Sequence, residues 1–218
     1  MGTNLTLWGV GTPRTLRVHW ALLELGLEYE SKPILSRSGE TKTAEYTALN
    51  PRQKIPLLQD GAFAIGESAA IVAYLARKYS RPGHSLVPED AEGHARWLEW
   101  CFFTIAELDA TALYVIRRHG TNLGHLYTDA PEVVAQCGEY FRHQLQFVEA
   151  ALADGRDYLV GEKFTTADIL LGTCLTWAVN YRVGICDNAV PYLERLTSRD
   201  AYQRASISNM PKDSAKVS

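Results

Sequence analysis

Cysteine is scarce and scattered. Cys101, Cys137, Cys174 and Cys186 form no C-x-x-C pair, whereas a disulfide framework or a zinc site needs clustered, regular spacing. The four read as buried free thiols, which favours a reducing, cytoplasmic compartment. The six histidines also lack ligand spacing, so no metal is expected. Positive charge is not in excess. The net charge of −3 speaks against a nucleic-acid partner, which calls for a basic face. No run approaches the ~20 apolar residues of a membrane span, and the best candidate, after Thr166, carries Asp168 near its start. The opening "MGTNLTLWGV" lacks a basic segment followed by an apolar one, so no signal peptide is expected. With 46% hydrophobic and 22% charged residues in 218, the chain has the composition of a soluble globular protein of one large domain or two modest ones.

Hydrophobic period divides the chain. "NLTLWGV" (4–10) alternates as a strand. Leu16, Trp20, Leu23 and Leu27 then recur at helical spacing, with Gly26 placed to end the helix in a left-handed cap. Residues 27–34 alternate again, so the first unit is β-α-β and its strands should be parallel. A polar stretch follows to Asn50. Short apolar runs at 55–59 and 62–65 flank Asp60-Gly61, a hairpin signal, and a helix opens near Ser68 with Ile71, Val72, Leu75, Ala76 and Tyr79 on one side. "SRPGHSLVPED" reads as a linker. Beyond it the pattern is helical: a stripe of Trp97, Trp100, Cys101, Ile105 and Leu108, a helix opening at Pro131, and Thr165-x-x-Asp168 as a capping box. The tail from about Ser206 is polar and reads as frayed. Domains are expected at 1–81 and 91–218, joined by a linker at 82–90.

One segment carries chemistry. In "NPRQKIPLLQDGAFAIGES" a proline enters an apolar strand at its second position. A strand tolerates proline at its start, at an edge or at a bulge, and a trans bond is the commoner state. A cis Ile55–Pro56 bond would instead turn the N–H and C=O of Ile55 out of the sheet, free to pair with an extended ligand. Glu67 and Ser68 also allow two readings. Ser68 is an ordinary N-cap beside an exposed acid, or the pair forms a seat for a zwitterion, with its carboxylate at the helix mouth and its ammonium on Glu67.

Taken together, "KIPLLQDGAFAIGESAAIVAYLARKY" resembles the glutathione site of the glutathione S-transferase family, and the likeness runs over nearly the whole chain. It implies an α/β thioredoxin-like N-terminal domain (βαβ-ββα) followed by an all-α helical-bundle C-terminal domain. It further implies a cis Pro56, Ile55 pairing with the cysteinyl backbone of glutathione, Ser68 and Glu67 holding its γ-glutamyl end, and Lys54 or Gln53 meeting its glycine carboxylate. "GVGTPRTLRVHWAL" resembles the thiol-activating turn of the serine-type plant classes. Thr12 stands in the serine's place, with Thr15 as the alternative. No cysteine stands there, which argues against mixed-disulfide chemistry. The resemblance implies a cytosolic homodimer whose glutathione thiolate attacks a hydrophobic electrophile. Glutathione is the co-substrate, and neither a metal, a nucleic acid nor a membrane is involved. Trp97, Trp100 and Tyr114 are expected at the electrophile site, and Glu107 or Asp109 near the dimer partner's glutathione. Two rivals on the same fold are a glutathione-dependent peroxidase or disulfide reductase, and a non-catalytic binding module.

Overall fold

Alternation along Leu5–Trp8 makes β1, with Leu5 and Leu7 buried and Thr6 and Trp8 half-exposed. The computed structural model describes residues 4–81 and 83–211, which form two compact units. In the first, β1 lies at the centre of a four-stranded sheet with β2 (Glu30–Lys32), β3 (Leu57–Asp60) and β4 (Phe63–Gly66), in the order β2-β1-β3-β4. β1 and β2 are parallel, Thr6 facing Glu30, while β1–β3 and β3–β4 are antiparallel, with Leu7 facing Leu58 and Leu58 facing Ile65. Three helices complete the α/β order: α1 (Pro13–Glu24), α2 (Ala44–Leu49) and α3 (Ser68–Tyr79). The thioredoxin-like β-α-β, β-β-α order is therefore present.

Local chemistry explains these boundaries. α1 ends in a Schellman motif: Gly26 adopts φ +64°, Gly26 N–H donates to Leu23 (3.1 Å) and Leu27 N–H to Leu22 (2.9 Å), which satisfies the last carbonyls. That closure takes Leu27 out of the expected second strand. Pro33 has no N–H to extend its other end, so β2 is three residues long. The Asp60-Gly61 hairpin closes as expected, with Gly61 at φ +61°.

The C-terminal helix departs from the expected division. α4 to α10 span Ala91–Phe103, Tyr114–His119, Gly124–Tyr127, Pro131–Leu152, Thr166–Asn180, Ala189–Thr197 and Asp200–Ser208. Residues 87–197 form the second unit, but the described residues from Ser198 onward belong with the first, although the sequence reading placed them in the helical domain at 91–218. The cause lies on α1. Glu24 is nearly buried, and Arg199 answers it with two hydrogen bonds of 2.6 and 2.8 Å. The same carboxylate accepts the Trp20 indole N–H (2.9 Å), and the Tyr202 ring packs edge-on against Trp20 at 4.9 Å. Trp20 and Ala205 are fully buried. The expected fraying from Ser206 does not occur among the described residues: α10 runs to Ser208 and Asn209 packs. Residues 212–218 lie outside the described part.

The second unit is helical throughout. The rod that starts with α4 widens over Thr104–Leu113 into i→i+5 pairing, so that Tyr114 N–H reaches Asp109, before α5 resumes the ordinary pitch. Asp168, fully buried in the first turn of α8, accepts four hydrogen bonds, from Leu159 N–H (2.9 Å), Thr165 N–H (2.7 Å), the Thr165 hydroxyl (3.0 Å) and the Tyr192 hydroxyl (2.8 Å). Burial pushes its carboxyl above the usual carboxylate range, and those donors offset only part of the effect. One acid thus joins the 159 loop, α8 and α9.

Two predictions follow from buried polar groups. Asp168→Ala strands two buried amides at about 1–3 kcal/mol each, so urea unfolding of the variant should show a sharply lowered midpoint, and an unchanged midpoint would refute the hub. His19, fully buried in α1, shares its Nδ1 with the Tyr29 hydroxyl at 2.7 Å, and its Nε2 has no hydrogen-bond partner. Burial lowers its pKa from 6.5 to about 4, the backbone of Gly9 countering only in part. The unfolded chain therefore takes up this proton before the folded one. The contribution is whole above pH 6.5 and is lost as pH falls towards 4, an effect of about 3 kcal/mol. Stability followed by urea titration across that window should fall less steeply in His19→Gln than in the parent.

Candidate active site

The end of β1 passes so close to Ile55 that only glycine fits. Gly9 has φ +111°, and a Cβ there would lie 2.6 Å from Ile55 Cβ. The Ile55–Pro56 bond is cis. Neither the N–H nor the C=O of Ile55 has a hydrogen-bond partner among the described residues. The chain just before it is fixed from below: the Lys54 carbonyl accepts from the Tyr46 hydroxyl (2.6 Å) and from Asn50 Nδ2 (2.8 Å). Tyr46 is buried, and burial raises its phenol pKa. The Lys54 side chain is exposed. Gln53, at φ +54°, gives its amide N–H to Thr47 Oγ1 (3.0 Å).

The mouth of α3 holds the acid and the hydroxyl. Glu67, not Ser68, is the N-cap. It sits at φ +65°, ψ 112° and makes no side-chain cap, an uncommon backbone state for a residue with a side chain. Its carboxylate pairs with Arg52 at 2.6 Å, both side chains lying mostly in solvent. Ser68 is the first helical residue. It is buried, and its hydroxyl accepts from Arg17 Nη1 at 3.2 Å. Arg17 comes from α1 and is fully buried. Free first-turn N–H groups, the helix dipole and a guanidinium beneath them make an anion seat with a carboxylate beside it.

The mouth of α1 is built differently. Thr12 is its N-cap, and Pro13 at the first helical position has no N–H to satisfy. Thr12 Oγ1 accepts from Thr15 N–H (3.0 Å), and Thr15 Oγ1 accepts from Thr12 N–H (3.0 Å). The hydroxyl oxygens stand 3.0 Å apart. Thr12 is half-exposed, whereas Thr15 is fully buried and its oxygen lies 2.6 Å from Asn209 Oδ1.

The other expected positions lie in the helical unit. Trp97 is buried and donates to Thr166 Oγ1 (2.9 Å). Trp100 is buried and stacks on Phe147 at 4.7 Å. Both help to pack the helical unit, and Trp100, with Phe147, also lines a cavity of that unit beside Arg96 and Leu159. Tyr114 is half-buried at the start of α5. Asp109 is buried, and Glu107 accepts from the Tyr140 hydroxyl. None of the four cysteines is in a disulfide among the described residues. Cys174 is buried and the others are partly exposed, and burial pushes the Cys101 and Cys186 thiols to about 12, far from thiolate character.

Four residues of this region escaped the sequence reading. Gly9 and Arg52 carry no local signal. Arg17 stood out only as part of a motif. Asn209 touches the turn from 194 residues away, in a stretch that reads as a polar tail.

Comparison with known proteins agrees with this geometry. Residues 3–77 match the family model described as the glutathione S-transferase N-terminal domain, and residues 103–201 match the glutathione S-transferase C-terminal domain. Glutathione S-transferase 3 of Zea mays is 33% identical over 209 residues, covering 92% of each chain. Glutathione S-transferase 1 of Schizosaccharomyces pombe is 32% identical over 173 residues, covering 76% of this chain and 72% of that protein. Among solved structures, the theta class glutathione S-transferase from Xanthomonas axonopodis pv. citri with glutathione bound superposes with a TM-score of 0.82 at 27% identity, covering 94% and 98% of the two chains. This chain belongs to the glutathione S-transferase family.

Proposed function

We propose that the protein is a glutathione transferase in which Thr12 stabilises the bound thiolate. The observation that carries the reading is the unpaired backbone of Ile55 between two helix mouths of opposite design. Relatives named as glutathione S-transferases support the activity. In the proposed complex the cysteinyl backbone of glutathione pairs with Ile55 beside Pro56. Its γ-glutamyl carboxylate takes the first-turn N–H groups of α3 and the Ser68 hydroxyl, whose own proton is free to donate because Ser68 accepts from Arg17. Its ammonium meets Glu67. Lys54, with an exposed ammonium, serves the glycine carboxylate, while Gln53 is tied to Thr47 and helps only to shape the turn.

The chemistry is thiol ionisation followed by substitution. A free thiol of pKa ~8.5 is only a few per cent thiolate at neutral pH. A hydroxyl donor at a helix N-terminus favours the anion, each unit of depression corresponding to ~1.4 kcal/mol. The thiol proton leaves to water. The sulfur lone pair then forms the C–S bond at an electrophilic carbon, and the displaced group departs with its bonding pair. The proposal extends to a hydrophobic electrophile and to a cytoplasmic homodimer. The dimer is supported by two large aromatic side chains standing in solvent, Phe63 (48% exposed) in β4 and Phe102 (70%) in α4.

The thiolate absorbs in the ultraviolet, so the pKa of bound glutathione can be titrated directly. Thr12→Ala should raise it by about a unit and lower kcat about tenfold with affinity for glutathione little changed, while Thr12→Ser should restore both. A bound pKa unmoved by Thr12→Ala would remove Thr12 from the mechanism. Ser68→Ala and Glu67→Gln act on affinity instead: each removes a charge-assisted bond of about 1.5–3 kcal/mol, or roughly tenfold to a hundredfold in Kd, measurable by calorimetry.

A further inference from the structure

The turn that carries Thr12 does not hold its own shape. Three of its polar groups end on one amide. Gly11 N–H donates to the Asn209 carbonyl (2.8 Å) and approaches Asn209 Oδ1 (3.2 Å). The Thr15 hydroxyl lies 2.6 Å from the same Oδ1, and Asn209 Nδ2 donates to the Thr12 carbonyl at 3.1 Å. The orientation of this amide is determined twice over. Flipped, its NH2 would face the Gly11 N–H and its oxygen the Thr12 carbonyl, and both pairs would repel.

Proton counting then assigns each hydroxyl a role. The Thr12 carbonyl is already occupied by Leu16 N–H (3.0 Å) and Asn209 Nδ2, so its two lone pairs are filled. The Thr15 proton therefore goes to Asn209 Oδ1, the shorter of its contacts, although the Thr12 carbonyl lies at 2.8 Å. Thr15 Oγ1 keeps its lone pairs for the Thr12 side of the capping box. Thr12 Oγ1 accepts from Thr15 N–H, and of the two hydroxyl protons in this turn its own is the one without an obligatory acceptor. It can rest on Thr15 Oγ1, and a thiolate, which carries a full charge, draws it outward.

From this geometry we propose that Asn209 is a positioning residue for thiol activation. Reaching back from the end of α10, it fixes the Gly11–Thr15 turn and commits Thr15 to a supporting bond, so that the Thr12 hydroxyl is pre-aimed as the donor. The proposal rests on the assignment of Thr12 made above. Preorganised donors do their work because nothing has to reorganise when charge develops, and a displacement near 1 Å costs about a hundredfold in rate. Outside α10 the bonds of Asn209 go to Gly11, Thr12 and Thr15 and to none of Ile55, Glu67 and Ser68, so its influence passes through the turn.

The test is the pKa of bound glutathione, with Kd measured beside it. Asn209→Ala should raise the bound-thiol pKa by about one unit and lower kcat at neutral pH about tenfold, with Kd changed less than threefold. Tyr202→Leu serves as the control. It trims the packing of the same helix against Trp20 while leaving the Arg199–Glu24 pair and the turn intact, and should leave the bound-thiol pKa where it was. Equal shifts in both variants would reduce Asn209 to general packing and overturn the proposal, as would an Asn209→Ala pKa equal to that of the parent. If Asn209→Ala does not fold, Thr15→Val and Thr15→Ser decide. The valine should raise the pKa and the serine should restore it, and a valine variant at the parent's pKa overturns the proposal. A parent protein whose bound thiol is no more acidic than free glutathione overturns the Thr12 assignment itself, and this proposal with it.

Discussion

The ion pair between Arg199 and Glu24 decides what the first unit is. Glu24 is a carboxylate on a helix face that otherwise buries Trp20, Ala21 and Leu22 completely. An acid in that setting is tolerable only with a partner. Arg199 supplies a planar fork with two bonds, the strongest geometry available for a carboxylate, and Trp20 supplies a third donor. Once this corner is fixed, α10 lies along α1 over its remaining length, Tyr202 and Ala205 close the seam, and Asn209 arrives at the opposite end of α1. The turn around Thr12 is therefore assembled by chain from both extremities of the protein.

That arrangement explains what the sequence shows and what it conceals. The β-α-β and β-β-α order is legible because period, Gly26 and Asp60-Gly61 each act within a few residues. The capping box at Thr165–Asp168 is legible for the same reason: both partners lie in one turn of helix. Thr12 could be singled out from its place ahead of Pro13, but the choice between Thr12 and Thr15 could not be made. Both hydroxyls suit a cap, and the group that separates them is Asn209. Similarly, Ser68 looks like the cap of α3 until Arg17, 51 residues away, is seen to occupy its oxygen. Trp97 and Trp100 share the spacing of core and of cleft alike, and Trp100 is both buried and part of a cavity wall.

The first unit also shows how a site is kept open. Ile55 is pressed by Gly9 from one side, and the Lys54 carbonyl before it is fixed by Tyr46 and Asn50. The peptide groups on either side of the gap are thus committed, yet the N–H and C=O of Ile55 are not. An unpaired backbone donor and acceptor are costly when shielded from water unless a ligand completes them. Ladder bonds resume at Leu57 facing Trp8, so the gap is confined to the residue that precedes Pro56. The unit behaves as a sheet with one short edge reserved.

On the proposed reading, the two helix mouths divide the work of binding and activation by how completely each is capped. At α3 no side chain caps the helix, Arg17 lies beneath and Arg52 pairs with Glu67, so the site offers several donors beside one acid. It suits an ion already formed, such as a carboxylate, and its return is affinity. At α1 the protein's own groups take nearly every donor and acceptor: Thr15 N–H, Thr12 N–H, Gly11 N–H and the Thr12 carbonyl are all spoken for. Of the two hydroxyl protons, one is left on a fixed turn. That is too little to bind a ligand and enough to bias an equilibrium, since moving a thiol pKa by one unit takes only ~1.4 kcal/mol, within the range of a single hydrogen bond to a charged group. An open mouth at α1 would bind anions without discrimination. A closed one with a single aimed donor would, on the proposed reading, stabilise sulfur only where the rest of the tripeptide has already been placed.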